Sequence, residues 1–165
     1  MKRDKIISFN YIEFDNPEEL DPADLDLLVN ARKIVLNAYA PYSGFKVGAA
    51  VRLASGKIVS GTNVENAAFP SGICAERSAL SNASSNYPGD KVVAIAVAAM
   101  TNDEMTDDPV PPCGNCRQVL AEEESRYGND IRIILSSKNK IQVIKRCADL
   151  LPLQFSKNNM KVNLH

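Results

Sequence analysis

The uninterrupted apolar run Val92 to Ala99 and the mostly apolar stretch Ile131 to Leu135 bracket a segment with helical patterning, Gly114 to Tyr127. Apolar runs of this length with bounded ends are read as buried strands. A strand, helix, strand unit crosses over right-handed, so the two strands are expected to be parallel. Upstream, Phe45 to Leu53 and Lys57 to Thr62 lie on either side of Ser55-Gly56, the pattern of an antiparallel hairpin. A helix is expected over about Cys74 to Asn82. Another starts after Asp21, which can cap it, with Pro22 at the first helical position and Asp24 placing negative charge in the first turn. Its apolar positions are Leu25, Leu28, Val29, Val35, Leu36 and Tyr39, and Pro41 ends it. The order of these elements predicts an α/β fold with one mixed central sheet and helices on both faces.

At 165 residues the chain matches one domain, set here at 21–165, and can bury a core without disulfides. Residues 1–20 mix apolar and acidic positions without a period and are read as an N-terminal extension with no assigned role. Nineteen basic residues against twenty acidic ones leave a net charge of −1, which shows no basic footprint and argues against nucleic acid as a partner. Asp4, Asn10, Glu13 and Asp15 interrupt the apolar residues of the N-terminus, so no leader peptide is expected. No apolar run is long enough to span a membrane. The expected compartment is the reducing cytoplasm, where the four cysteines read as metal ligands, catalytic groups or buried thiols before they read as disulfides.

Three of those cysteines stand in two motifs, Cys74-Ala75-Glu76-Arg77 and Pro112-Cys113-Gly114-Asn115-Cys116, each where a predicted helix begins. Pro111 and Pro112 force an extended approach and Gly114 allows close backbone contact, so Cys113 and Cys116 can converge at the open helix end. Unpaired amides and the positive end of the helix dipole favour thiolates there. Three thiolates on a tetrahedral zinc leave one position for water, which separates a catalytic site from a closed structural one. Zinc acidifies such a water, and a nearby carboxylate can take its proton. Glu76, at the first turn after Cys74, is the carboxylate placed to do so.

A Cys-x-x-Cys pair also fits a redox pair, half of a structural zinc site, or two buried thiols. The flanking Pro and Gly lack a thioredoxin-like strand context, which weakens the redox reading without removing it. A closed four-ligand site would need Cys147, which reads as a small core residue, or His165, the last residue of the chain. With that single histidine, a Ser-His-Asp or Cys-His machine would depend on a chain terminus, and no glycine-rich phosphate loop is present.

A glutamate that is not a ligand, followed by Pro-Cys-x-x-Cys in a site with a three-cysteine variant, is the signature of zinc deaminases. Around it stand Ala40-Pro-Tyr-Ser-Gly-Phe45-Lys-Val-Gly-Ala-Ala50, Asn63-Val-Glu-Asn-Ala67, Pro112-Cys-Gly-Asn-Cys-Arg-Gln118 and Leu150-Leu-Pro-Leu-Gln-Phe155. Over about residues 22 to 156 the chain closely resembles the cytidine deaminases of the small, homotetrameric, zinc-dependent type. The resemblance implies a three-layer α/β/α sandwich, one Zn2+ per subunit on Cys74, Cys113 and Cys116, and conversion of cytidine and 2′-deoxycytidine to uridine and 2′-deoxyuridine with release of ammonia, as in pyrimidine salvage. Glu76 is then the catalytic residue. By the same likeness Asn63 and Glu65 hold the ribose 3′-hydroxyl, Phe45 packs on the pyrimidine, and the Ala75 backbone meets the base. Phe155 is implied to reach a neighbouring subunit's active site in a homotetramer.

Chemistry agrees with that division, since an amide and a carboxylate together read a hydroxyl as donor and acceptor. Arg77 is implied as a positive group beside the thiolates, where it would offset the net negative charge of three thiolates on one divalent ion. Phe69 stands where many relatives have tyrosine, and the Phe69-Pro-Ser-Gly-Ile73 approach to the first ligand is a second departure. Water is expected to add at C4 of cytosine, with Glu76 protonating N3 and then the leaving amine. The competing readings are a deaminase of polynucleotides or of a blasticidin-like nucleoside, and a zinc-stabilised module closed by Cys147.

Overall fold

The computed structural model describes residues 2–160. Strands β2 (Lys46–Leu53) and β3 (Ile58–Thr62) form the expected antiparallel hairpin, with Val51 opposite Val59. Gly56, at φ +87, takes the left-handed conformation that its turn needs. β4 (Val92–Thr101) runs antiparallel to β2 and parallel to β6 (Arg132–Ser136), so the predicted crossover is observed. Three strands lie outside the sequence reading: β1 (Tyr11–Phe14), the short β5 (Glu104–Met105), and β7 (Ile141–Ile144). The order across the sheet is β1, β7, β6, β4, β2, β3, with β5 on β4. The segment around β1 showed no period because Tyr11, Ile12 and Glu13 are exposed and only Phe14 turns partly inward. Its strand exists through pairing with β7, a contact between residues far apart in the chain.

Helices α1 (Pro22–Ile34), α2 (Ala75–Asn86) and α3 (Gly114–Tyr127) cover the two faces. Alternation along the strands sorts the core. Ala49, Val51, Ile95, Val97, Ile133 and Leu135 pack with Ala79 and Leu80 of α2 and Leu120 of α3. Ala50, Ala94, Ala96, Ala98 and Ile134 pack with Leu27, Leu28 and Ala31 of α1. This is the three-layer sandwich.

The buried stripe of α1 differs from the one expected. Leu27, Leu28, Ala31 and Val35 are buried, whereas Val29, Leu36 and Tyr39 are more than half exposed. The helix ends at Ile34, a 3₁₀ turn covers Val35–Asn37, and Tyr39 leaves it to form a parallel bridge with Val64. The close contact is made by small residues, since a Cβ added at Gly48 would lie 2.5 Å from the Ala31 carbonyl oxygen. Gly61 does the same for α2, where an added Cβ would collide with the backbone of Ala75, Ser78 and Ala79. A fourth helix, α4 (Lys157–Met160), is a single turn. Among the described residues no helix is long and apolar enough to cross a membrane.

Candidate active site

Both cysteine motifs sit at helix starts because each first cysteine is in extended conformation and caps the helix that follows. Cys74 precedes α2 with ψ 153, and Cys113 precedes α3 with ψ 168. Cys116 lies in the first turn of α3 and is fully buried. The sulfurs of Cys74, Cys113 and Cys116 all lie within 4.8 Å of one another. Cys113 Sγ and Cys116 Sγ are 3.6 Å apart, close to the separation of about 3.8 Å implied for two sulfurs on one tetrahedral zinc.

The electrostatics of this cluster are compatible with a cation site. Burial pushes the Cys116 thiol strongly upward, and the nearby charges of Glu76 and Cys74 push it further. Burial also raises Cys74, offset in part by the Cys116 thiol, while Cys113 and Glu76 act to raise it. At Cys113 burial acts upward but is outweighed by the Cys116 backbone amide, the Cys116 thiol and the Asn115 amide, so its thiol falls below the ordinary range. Three thiols and a carboxylate this close cannot all ionise unless a positive ion offsets their repulsion. Sulfur donors in a tetrahedral-sized cluster suit zinc. Among the described residues no fourth metal-ligating side chain joins them. Cys147 is buried elsewhere, its thiol 3.4 Å from the Arg117 carbonyl oxygen, and His165 lies outside the described residues.

Glu76 is only 5% exposed, in the first turn of α2. Burial raises its carboxyl, with its own backbone amide and the Cys116 thiol working in the opposite direction. It lines a cavity of about 630 Å³ whose wall also carries Cys74, Ala75 and Cys113 on one side and Phe45, Asn63 and Glu65 on the other. That volume lies within the usual range of about 300 to 1,000 Å³ for small-molecule sites. Among the described residues no lysine or arginine lines it.

The segment Asn63 to Glu65 connects the two sides. Val64 exchanges both backbone hydrogen bonds with Ile73, at 3.0 and 3.1 Å, next to the first cysteine. On its other side Glu65 N–H donates to Tyr39 O at 2.8 Å, and Tyr39 N–H donates to Asn63 O at 3.2 Å. The Asn63 side chain holds the start of β2, accepting Val47 N–H at 2.7 Å and donating to Phe45 O at 2.9 Å. Glu65 accepts hydrogen bonds from Ser43 and Tyr42, and these hold its carboxyl below the ordinary range.

A region described as the cytidine and deoxycytidylate deaminase zinc-binding region matches residues 22–127, which include all three clustered cysteines and Glu76. The chain belongs to the cytidine and deoxycytidylate deaminase family. It is 44% identical over 124 residues to a cytidine deaminase of Halalkalibacterium halodurans, covering 74% of this chain and 86% of that one. A cytidine deaminase of Sporosarcina psychrophila is 39% identical over 135 residues, or 81% and 92% of the two chains. The crystal structure of cytidine deaminase from Burkholderia pseudomallei superimposes with a TM-score of 0.67 at 40% identity, covering 79% of this chain and 97% of that one.

For this deaminase-family chain, Arg77 and Phe155, neither of them expected to line this subunit's own cavity, are not among the described residues that line it. Arg77 is half-buried on α2, and its side chain makes no hydrogen bond among the described residues. Phe155 is 60% exposed and does not line the cavity, its carbonyl accepting Gln118 Nε2 at 2.9 Å. Gly114, expected to permit close backbone approach, has open space where its Cβ would be. Tyr42 and Phe69 were not assigned to the site, yet they line the cavity and pair edge to face with centroids 5.8 Å apart. Arg117 was also missed. It donates to Pro112 O at 2.8 Å and to Leu150 O at 2.9 Å, bracing the proline approach to Cys113. Its place directly after the second motif cysteine was the available signal.

Proposed function

We propose that this chain catalyses zinc-dependent hydrolytic deamination of cytidine and 2′-deoxycytidine, giving the uracil nucleosides and ammonia. The observation that carries this reading is Glu76, buried in the wall of a nucleoside-sized cavity beside Cys74 and Cys113. Cys74, Cys113 and Cys116 would hold the metal, which when bound supplies Lewis-acid activation of water. Glu76 takes one proton from the attacking water and delivers it to N3 of the ring, then takes the second from the resulting C4 hydroxyl and delivers it to the departing amine as the C4–N bond breaks, so one carboxylate serves both transfers. The apolar wall of Phe45, Val97 and Ile73 excludes water from the base, and Phe45 packs on the pyrimidine while the Ala75 backbone meets its edge. Asn63 and Glu65 bind the ribose 3′-hydroxyl. Arg77 acts as a positive group close to the thiolates. The lack of a basic lining residue among the described residues supports an uncharged nucleoside over a phosphate-bearing chain.

The wider reading is a homotetramer with one zinc per subunit, working in the cytoplasm in pyrimidine salvage, with residues 1–20 as an extension to the catalytic domain. Exposed Phe155 supports a contribution to a neighbouring subunit, and four free thiols support a reducing compartment. The test is loss of ultraviolet absorbance from cytidine and deoxycytidine, with and without a chelator, beside oligocytidylate and blasticidin S. Zinc-loaded protein is expected to convert the free nucleosides and to leave oligocytidylate unchanged. Absence of turnover on both nucleosides would overturn the assignment.

A further inference from the structure

The carboxylate of Glu65 is held by one short loop. Its Oε2 accepts the backbone N–H of Tyr42 at 2.8 Å and of Ser43 at 3.3 Å, and its Oε1 accepts the Ser43 hydroxyl. The same hydroxyl oxygen accepts Phe45 N–H at 3.0 Å. Ser43 thus uses its hydroxyl as donor and acceptor at once, toward the two residues that flank the cavity on this side. Gly44 makes the loop possible. Its φ of +66 lies in the left-handed region, and its N–H closes the turn onto Ala40 O at 3.0 Å.

We propose that Ser43 is a positioning residue that orients the Glu65 carboxylate and the Phe45 backbone as one unit, so that nucleosides bearing a 3′-hydroxyl are favoured over those lacking it. The proposal rests on Glu65 as the ribose contact. A carboxylate offers about four acceptor sites. Three are occupied by Tyr42 N–H, Ser43 N–H and the Ser43 hydroxyl, which leaves capacity for one ligand hydroxyl. Among the described residues no lysine or arginine lines the cavity to hold the carboxylate instead. Removing the Ser43 hydroxyl frees Oε1 and leaves Phe45 N–H without its acceptor. The Asn63 amide still clamps Phe45 O and Val47 N–H, so the start of β2 stays in place. The loss is therefore one of ligand orientation and not of fold.

The test compares cytidine with 3′-deoxycytidine on zinc-loaded wild-type protein, Ser43→Ala, Ser43→Thr and Glu65→Gln. Wild-type protein is expected to prefer cytidine. In Ser43→Ala, kcat/KM for cytidine falls about tenfold, the size of one lost charge-assisted hydrogen bond, with the loss falling on KM more than on kcat. The loss on 3′-deoxycytidine is several times smaller, and Ser43→Thr recovers the preference. Equal losses on both substrates in Ser43→Ala, or none, overturn the proposal when Glu65→Gln still erases the preference. If Glu65→Gln leaves the preference intact, the ribose assignment of Glu65 fails first, and the role of Ser43 falls with it.

Discussion

Asp24 of α1 accepts Arg132 Nε of β6 at 2.6 Å, joining the helix on one face to the middle of the sheet. Arg52 of β2 reaches the same carboxylate at 2.9 Å, and the Asp24 side chain is only 4% exposed. One acid thus neutralises two partly buried guanidinium groups. Removing it leaves both without their partner, which costs far more than losing an exposed pair. Asp24→Ala is expected to lower unfolding free energy by about 3 kcal/mol, read as a shift in the urea midpoint with unchanged slope.

Gly61 predicts a coupled loss of stability and metal. Its missing side chain lets β3 meet the backbone of α2 at Ala75, Ser78 and Ala79, directly after the first cysteine. Gly61→Ala must push α2 away, at a cost of about 1–3 kcal/mol, and Cys74 and Glu76 move with it. Thermal unfolding and zinc content should fall together. Gly114→Ala, where nothing occupies the space around the added Cβ, serves as the contrast and should fold as the parent does.

The two classes of cysteine separate by metal analysis. Cys116→Ser removes one of three converging sulfurs and should abolish zinc retention through gel filtration. Cys147→Ser should keep it, because that thiol faces the Arg117 carbonyl and lies apart from the cluster. Loss of zinc in Cys147→Ser would support the closed structural site instead.

Glu76→Gln keeps the size of the side chain but can no longer take up a proton. With zinc still bound, turnover of cytidine should fall about 10²- to 10⁴-fold, the usual contribution of a positioned acid-base group. Near-parental turnover in a metal-replete sample would remove Glu76 from the mechanism.

The parallel pair β4 and β6, the hairpin and all three main helices were legible in sequence because each rests on local periodicity, a cap or a turn glycine. The stripe of α1 was misread because large residues were given weight. Close approach through Ala31 and Gly48 buried the small ones instead, and Val29 and Leu36 were left exposed. Strands β1 and β7 were missed for a related reason. Each has only four residues; β1 exists only through pairing with β7, distant in the chain, and β7 is a short strand that folds back on the neighbouring β6.

At the site, residue types and spacing singled out Cys74, Cys113, Cys116 and Glu76 as candidates, because thiols at helix starts and a carboxylate two residues from one of them are local features. Their convergence required the fold: the sulfurs meet within 4.8 Å only because α2 and α3 lie on the same face of one sheet. Likewise, the sequence could name Asn63 and Glu65 but not what holds them. Their hydrogen bonds to Phe45, Val47, Tyr42 and Ser43 arise at the open end of the β2–β3 hairpin, where pairing brings together residues 16 to 23 positions apart. Local chemistry is written along the chain, whereas distances across it follow from burial of the two faces of the sheet.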